Sequence, residues 1–278
     1  MTDFLAEWTG KVFVGDCLDF MAQLPSGCVA MVMWDHPYWG VPGCRGQWDE
    51  GSALGQAWRL ASSLSSLVLW DYGEQIPNLW ILLRKQGWHP RRIVPWVYRN
   101  GRTGPSGLRR CAEFAVWATK GETFTFDAQG FEERFDLDYL TRPGGLVYRR
   151  DGRETLRDGR FAEPRDWFEW PAQTGGYSKE ARERQHPQQK PRKVFARWIG
   201  GLSQPTDLIF DPFLGSGTTA VVAERLGRRW IGCEINEQYA AMATKRILRA
   251  REQLALPIEP KPAPGIFKHE QASLGVVE

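Results

Sequence analysis

The stretch from Leu208 to Arg251 constrains the fold most. A strand pattern (Leu208 to Asp211), a glycine turn, a helical pattern (Thr218 to Leu226), a second strand pattern (Trp230 to Glu234) and a long helical pattern (Glu237 to Arg251) follow in order. Strand, helix and strand in succession make a crossover, which sets the two strands parallel in one sheet with helices packed on its faces. The turn, DPFLGSGTTA, carries G-x-G-x-x-A in Gly215, Gly217 and Ala220. Glycines there let the backbone turn sharply and approach a ligand, and the helix that follows presents free N–H groups. Glu234 ends the next strand, where a carboxylate accepts hydrogen bonds from both hydroxyls of a ribose. Such a turn alone is equally a tight connection between strand and helix; with the acid and the crossover it indicates nucleoside binding.

Upstream, strand patterns occupy Lys11 to Val14, Val29 to Trp34, Leu67 to Trp70, Ile93 to Tyr98 and Ala112 to Ala118. Helical patterns lie at Leu18 to Leu24, Ala53 to about Leu64, and Gln75 to Gln86, the last stopped by Gly87. The predicted fold is therefore α/β, a doubly wound, mostly parallel sheet. From Gly121 to Gln185 the pattern breaks into short pieces separated by Gly, Pro and paired charges, an expected inserted lobe, with DWFEWP (Asp166 to Pro171) returning the chain to the core. A further helix is expected at Val194 to Gly200, and the proline-punctuated stretch from Leu256 to Glu278 reads as a flexible tail.

Composition narrows the class. The hydrophobic content of 42% and charged content of 25% are those of a soluble globular chain, and a net charge of +3 leaves any nucleic-acid footprint to local clustering. The five cysteines are odd in number and contain no C-x-x-C pair, and the four histidines are scattered, so the sequence indicates reduced thiols, no metal site and a cytoplasmic setting. No apolar run approaches the length of a membrane span. The lysine-bearing phosphate loop G-x-x-x-x-G-K-[ST] is absent, which argues against a nucleoside triphosphate and leaves NAD and S-adenosylmethionine.

The end of the second strand separates those two. MWDHPYWG, Met33 to Gly40, closes an apolar run with an acid, a histidine, a proline and an aromatic. In an open α/β sheet, ligands bind outside the carboxyl ends of the strands, so Asp35 and Tyr38 should share a crevice with Gly215 and Glu234. An acceptor carboxylate, the carbonyl of His36, a stiffening Pro37 and an aromatic face suit a flat ring bearing an amino group. Carboxylate and carbonyl accept the amino hydrogens while Tyr38 stacks on the ring.

DHPY resembles the D-P-P-Y motif, and FLGSG (Phe213 to Gly217) the F-x-G-x-G motif, of the DNA adenine-N6 and cytosine-N4 methyltransferases. Catalytic motif first and cofactor motif last resembles the beta class of that family, as do GDCLD (Gly15 to Asp19) and HPQQKP (His186 to Pro191). The resemblance covers about Lys11 to Arg251. It implies a Rossmann-like methyltransferase fold with a catalytic half at 1–120, a target-recognition insertion at 121–185, a cofactor-binding half at 186–255 and a tail at 256–278. It implies S-adenosylmethionine as cofactor, held by Asp16, Cys17, Asp35, Lys190, Asp211, Phe213, Gly215, Ser216, Gly217, Thr218, Thr219 and Glu234. Asp35, His36, Pro37 and Tyr38 would hold a base flipped out of double-stranded DNA, with adenine N6 favoured because an acid opens the motif. Cytosine N4, a catalytically impaired binding homologue, and more remotely a nicotinamide-dependent dehydrogenase are the alternatives.

His36 departs from the family pattern, standing where the first proline is usual. A backbone carbonyl survives any substitution, so the expectation is that only the main chain matters there and that His36→Pro keeps or raises turnover. The segment with Arg91, Arg92, Arg99, Arg102, Arg109 and Arg110 contains no acid, and these arginines are expected to reach DNA phosphates. Arg149, Arg150, Arg153, Arg157 and Arg160 of the inserted lobe are further DNA-facing candidates. The expected partner is double-stranded DNA rather than a membrane; the sequence leaves a homodimer open.

Overall fold

Among the described residues one eight-stranded sheet organises the fold, in the order β1-β8-β7-β2-β3-β5-β4-β6. The computed structural model describes residues 3–37, 49–99, 107, 109–127, 129–131, 166–172 and 189–255. The strands are β1 (Val12–Val14), β2 (Val29–Trp34), β3 (Ala61–Asp71), β4 (His89–Val97), β5 (Ala112–Thr119), β6 (Phe168–Glu169), β7 (Leu208–Asp211) and β8 (Arg229–Glu234). Pairings β1/β8, β7/β8, β2/β7, β2/β3 and β4/β6 are parallel; β5 is antiparallel to both β3 and β4. The helices are α1 (Asp3–Trp8), α2 (Cys17–Gln23), α3 (Glu50–Leu60), α4 (Ile76–Lys85), α5 (Arg192–Leu202), α6 (Thr218–Arg225) and α7 (Glu237–Ala255).

The period-2 alternation of the strands explains the two layers of helices. Met31, Met33, Val68, Trp70, Ile209 and Trp230 point to the face covered by α5, α6 and α7. Val32, Trp34, Leu67, Leu69, Phe210 and Ile231 point to the face covered by α1 to α4. Both faces of the parallel strands are thus buried, the condition under which such a sheet is stable, and the fold is doubly wound and Rossmann-like as expected.

Three local features differ from the sequence reading. Helix α1 was not anticipated. Helix α3 starts earlier, at Glu50, because Asp49 caps it, its carboxylate accepting from the Ser52 N–H at 3.0 Å and the Ser52 hydroxyl at 2.6 Å. Strand β3 begins at Ala61, where a helix was expected to continue. The serines of ASSLSS find strand partners instead: Ser65 Oγ donates to the Val29 carbonyl at 2.5 Å, and Trp117 Nε1 donates to Ser66 Oγ at 3.1 Å. DWFEWP does return to the core: Phe168 is buried, and β6 extends the sheet beyond β4. Most of the expected inserted lobe (132–165 and 173–185), including its five candidate arginines, the first three residues of HPQQKP (186–188) and the tail beyond residue 255 lie outside the described residues.

Candidate active site

The carboxyl ends of β1, β8, β7, β2 and β3 line one edge of the sheet, and each ends at or beside a carboxylate. Asp16 follows β1, Glu234 closes β8, Asp211 closes β7, Asp35 follows β2 and Asp71 closes β3. Parallel pairing brings them together, so residues far apart in sequence meet at one rim.

The glycine turn is built from backbone geometry and two acids. Gly215 and Gly217 have φ of 50° and 78°, in the left-handed region where a β-carbon is strained, and a β-carbon on Gly217 would also meet Ala243 of α7 at 3.0 Å. The Gly215 N–H donates to Glu234 Oε2 at 2.8 Å, and the Asn236 N–H donates to Oε1 at 2.9 Å. Glu234 therefore pins the turn to the neighbouring strand while using two of about four acceptor positions. Ile235, next along, is 71% exposed. Asp211 is buried, accepting from the Phe213 N–H at 2.9 Å and from Thr219 Oγ1 at 2.5 Å. Burial pushes its carboxyl up to about 7; the two hydrogen bonds oppose this, and the charges of Asp35 and Glu234 add to it. Arg246 of α7 closes the far side, donating to the Ser216 carbonyl and hydroxyl.

The catalytic candidate Asp35 sits in a second cluster. Lys190 Nζ donates to Asp35 Oδ1 at 2.7 Å and lies 3.0 Å from Glu113 Oε2 of β5. Burial alone would push the lysine down, yet the two carboxylates outweigh it and hold the ammonium well above its ordinary value. Tyr98 reaches the other Glu113 oxygen at 3.5 Å, and the Arg110 guanidinium lies 3.5 Å from the centre of the Tyr72 ring. Burial, then Glu113, pushes both phenols up. Glu113, Tyr72 and Tyr98 were not among the sequence candidates: Glu113 arrives through the antiparallel pairing of β5, and Tyr72 and Tyr98 follow the ends of β3 and β4 outside any motif.

The two clusters join at Phe213, whose ring meets Trp34 edge-on at 5.1 Å and lies 6.4 Å from the His36 ring. Thr218 Oγ1 donates to the Lys190 carbonyl at 3.4 Å. Asp16 caps α2, accepting from the Leu18 N–H at 2.7 Å, beside Gly15, whose N–H donates to the Glu234 carbonyl at 3.1 Å. Cys17 is half-buried, and burial with the nearby Asp16 pushes its thiol up to about 12, which keeps it from being a nucleophile at neutral pH.

The arginine candidates divide. Arg99 leaves the crevice end of β4 and pairs with Glu169 at 2.6 Å, and Arg110 stands over Tyr72, close to the site. Arg91 and Arg92 sit toward the other end of the sheet, because β4 runs from His89, opposite Thr119, to Val97, opposite Ala112. Arg91 is engaged there by Thr119 Oγ1, the Gly121 carbonyl and Glu122. Arg109 is exposed; Arg102 and Tyr38 lie outside the described residues. Among the described residues no helix is long and apolar enough to cross a membrane, and no cluster of His, Cys, Asp and Glu has a metal-holding arrangement.

Asp35, Asp71, Asp211, Glu234 and the glycine turn all fall within residues 29–245, which match the DNA methylase model of the N6/N4 methyltransferases. The chain belongs to the N6/N4 DNA methylase family. Its methyl donor is S-adenosylmethionine. This methylase is 22% identical over 298 residues to the type II methyltransferase M.HinfI of Haemophilus influenzae, covering 95% of this chain and 77% of that one. To M2.DpnII of Streptococcus pneumoniae it is 27% identical over 263 residues, covering 84% and 87%. Among solved structures, the M1.HpyAVI complex with SAM shares the fold with a TM-score of 0.59 at 19% identity, over 85% of this chain and 98% of that one. The PvuII cytosine-N4-specific methyltransferase does so with a TM-score of 0.61 at 18% identity, over 87% and 89%.

Proposed function

We propose that this methylase modifies a specific site in double-stranded DNA, transferring a methyl group to adenine N6, on a base flipped out of the duplex. The observation that carries the reading is Asp35, an acid at a strand end, held by a buried lysine beside a glycine turn pinned by Glu234. Support for adenine comes from the acid that opens DHPY; the likeness to a cytosine-N4-specific enzyme makes cytosine N4 the second reading.

The residues present fit S-adenosylmethionine. Glu234 has acceptor positions to spare for ribose hydroxyls, Ile235 offers an exposed apolar surface next to them for an adenine ring, and buried Asp211 favours a neighbouring cation such as an ammonium group. When bound, that cofactor supplies an electrophilic methyl group. The chain's own work is to orient the target. Asp35 and the His36 carbonyl accept the two amino hydrogens, which localises the nitrogen lone pair and directs it outward. Tyr38 is the expected stacking face. Flipping costs a few kcal/mol, offset by these contacts.

Purified protein, S-adenosylmethionine and unmethylated DNA of mixed sequence, digested to nucleosides and read by mass spectrometry, should yield N6-methyladenine. N4-methylcytosine would keep the chemistry and move the target; neither product, with cofactor bound, would turn the reading to a binding homologue. A Glu234→Ala variant should bind S-adenosylmethionine about tenfold to a hundredfold more weakly in a calorimetric titration, the loss of one to two charge-assisted hydrogen bonds. Its maximal rate at saturating cofactor should stay near that of the wild type.

A further inference from the structure

We propose that the His36 side chain is a positioning residue, a clasp that holds the catalytic strand end to Asp71 and Glu50 and so fixes the carbonyl on which target orientation depends. This rests on the methyltransfer reading above.

The imidazole is buried, and its Nε2 lies 3.2 Å from Asp71 Oδ2 and 3.7 Å from Glu50 Oε1. These two carboxylates belong to different elements, Asp71 to the end of β3 and Glu50 to the first turn of α3. Among the described residues neither oxygen has a hydrogen-bond donor, and the imidazole nitrogen is the polar group placed nearest to both. Burial pushes the Glu50 carboxyl up; His36 opposes this and the charge of Asp71 adds to it. The imidazole ring also lies 6.4 Å from the Phe213 ring of the cofactor turn.

The topology explains what the clasp accomplishes. His36 and Glu50 bracket the connection from β2 to α3, the segment whose sequence carries Pro37 and Tyr38. Contact between the two brackets fixes where that connection starts and ends, while Asp71 ties both to the neighbouring strand. A proline at position 36 would stiffen φ through its ring. Histidine reaches the same end by anchoring its side chain in three elements at once. On this inference the expectation that His36→Pro keeps or raises turnover is reversed, because proline takes away the imidazole that Asp71 Oδ2 and Glu50 Oε1 both face.

The test is a double-variant cycle on the full chain, with His36→Asn, Asp71→Asn, the pair together, and Glu50→Gln, whose shape-preserving change at the rim of the cluster guards against loss of folding. Single-turnover methyl transfer and cofactor Kd are measured for each. Each of the first two variants should lose about tenfold or more in rate, since small misplacement of reacting groups is costly. Cofactor Kd should stay within about threefold, Glu50→Gln should fall in rate in the same direction, and the pair should be no slower than the worse single variant, as for residues acting as one unit. Rates near wild type in His36→Asn, or losses that multiply in the pair, would overturn the clasp. Absence of methyl transfer in the wild type overturns the functional reading itself, and it is seen before any variant is compared.

Discussion

Asp35→Ala should abolish measurable turnover, with a loss of about 10³-fold or more, while the folded protein still binds S-adenosylmethionine. The magnitude follows from the role. Removing one preorganised electrostatic partner of a reacting group costs about 10²- to 10³-fold, and misorientation of the target nitrogen adds to that. Asp35→Asn separates charge from shape: it keeps one acceptor oxygen but replaces the other with a donor, and should retain more activity than alanine. Single-turnover transfer of a labelled methyl group, with cofactor Kd measured in parallel, makes the comparison. The contrast with Glu234→Ala decides the assignment, since loss of rate belongs to Asp35 and loss of cofactor affinity to Glu234. Were Asp35→Ala to lose only cofactor affinity and Glu234→Ala only rate, the two ends of the crevice would exchange roles.

The parts of this site that can be read from sequence are those carried by single strands and their ends. β7 falls where the pattern places it, at Leu208–Asp211, because a short apolar run bounded by a proline-containing loop and a glycine turn has few alternatives. Asp211, the glycines and Glu234 come with it. Asp71 gives the same signal as Asp35, an acid closing an apolar strand, and could have been found by it. Glu113 and Tyr98 give no such signal, since they enter through the pairing of β3 with β5 and β4 with β5, contacts distant in sequence. The same pairing decides the arginines. Spacing along the chain does not say which end of a strand meets the crevice; β4 runs in the same direction as β3, so its start carries Arg91 away from the crevice and its carboxyl end delivers Arg99 toward it. The serines opening β3 misled for a related reason: their hydroxyls are satisfied only by neighbours that the sheet supplies.

Lys190→Met should lower the stability of the protein by about 3 to 5 kcal/mol, the usual consequence of removing one partner from a buried ionic cluster. With total stabilities of about 5 to 15 kcal/mol and roughly 2 to 4 °C per kcal/mol for a chain of this size, Tm should fall by about 6 to 20 °C in a calorimetric scan. The loss comes from what remains: Asp35 and Glu113, both turned toward the vacated ammonium, are left as like charges with little solvent. The pH dependence has a definite sign. In the wild type the lysine is held above its unfolded value of 10.5, so its contribution is complete below pH 10.5 and is lost only as pH rises beyond that through the folded value. Wild-type stability is therefore insensitive to this group between pH 6 and pH 9. In Lys190→Met the two carboxylates compete for a proton, so the variant should recover stability as pH falls toward the carboxylate range. Adding Glu113→Gln removes one of the opposed charges and should restore part of the lost Tm at neutral pH. A second substitution that makes matters worse would show that Glu113 contributes through contacts other than the lysine. If both changes were silent, Asp35 would not depend on this cluster for its place at the strand end, and the crevice would have to be organised from the glycine turn alone.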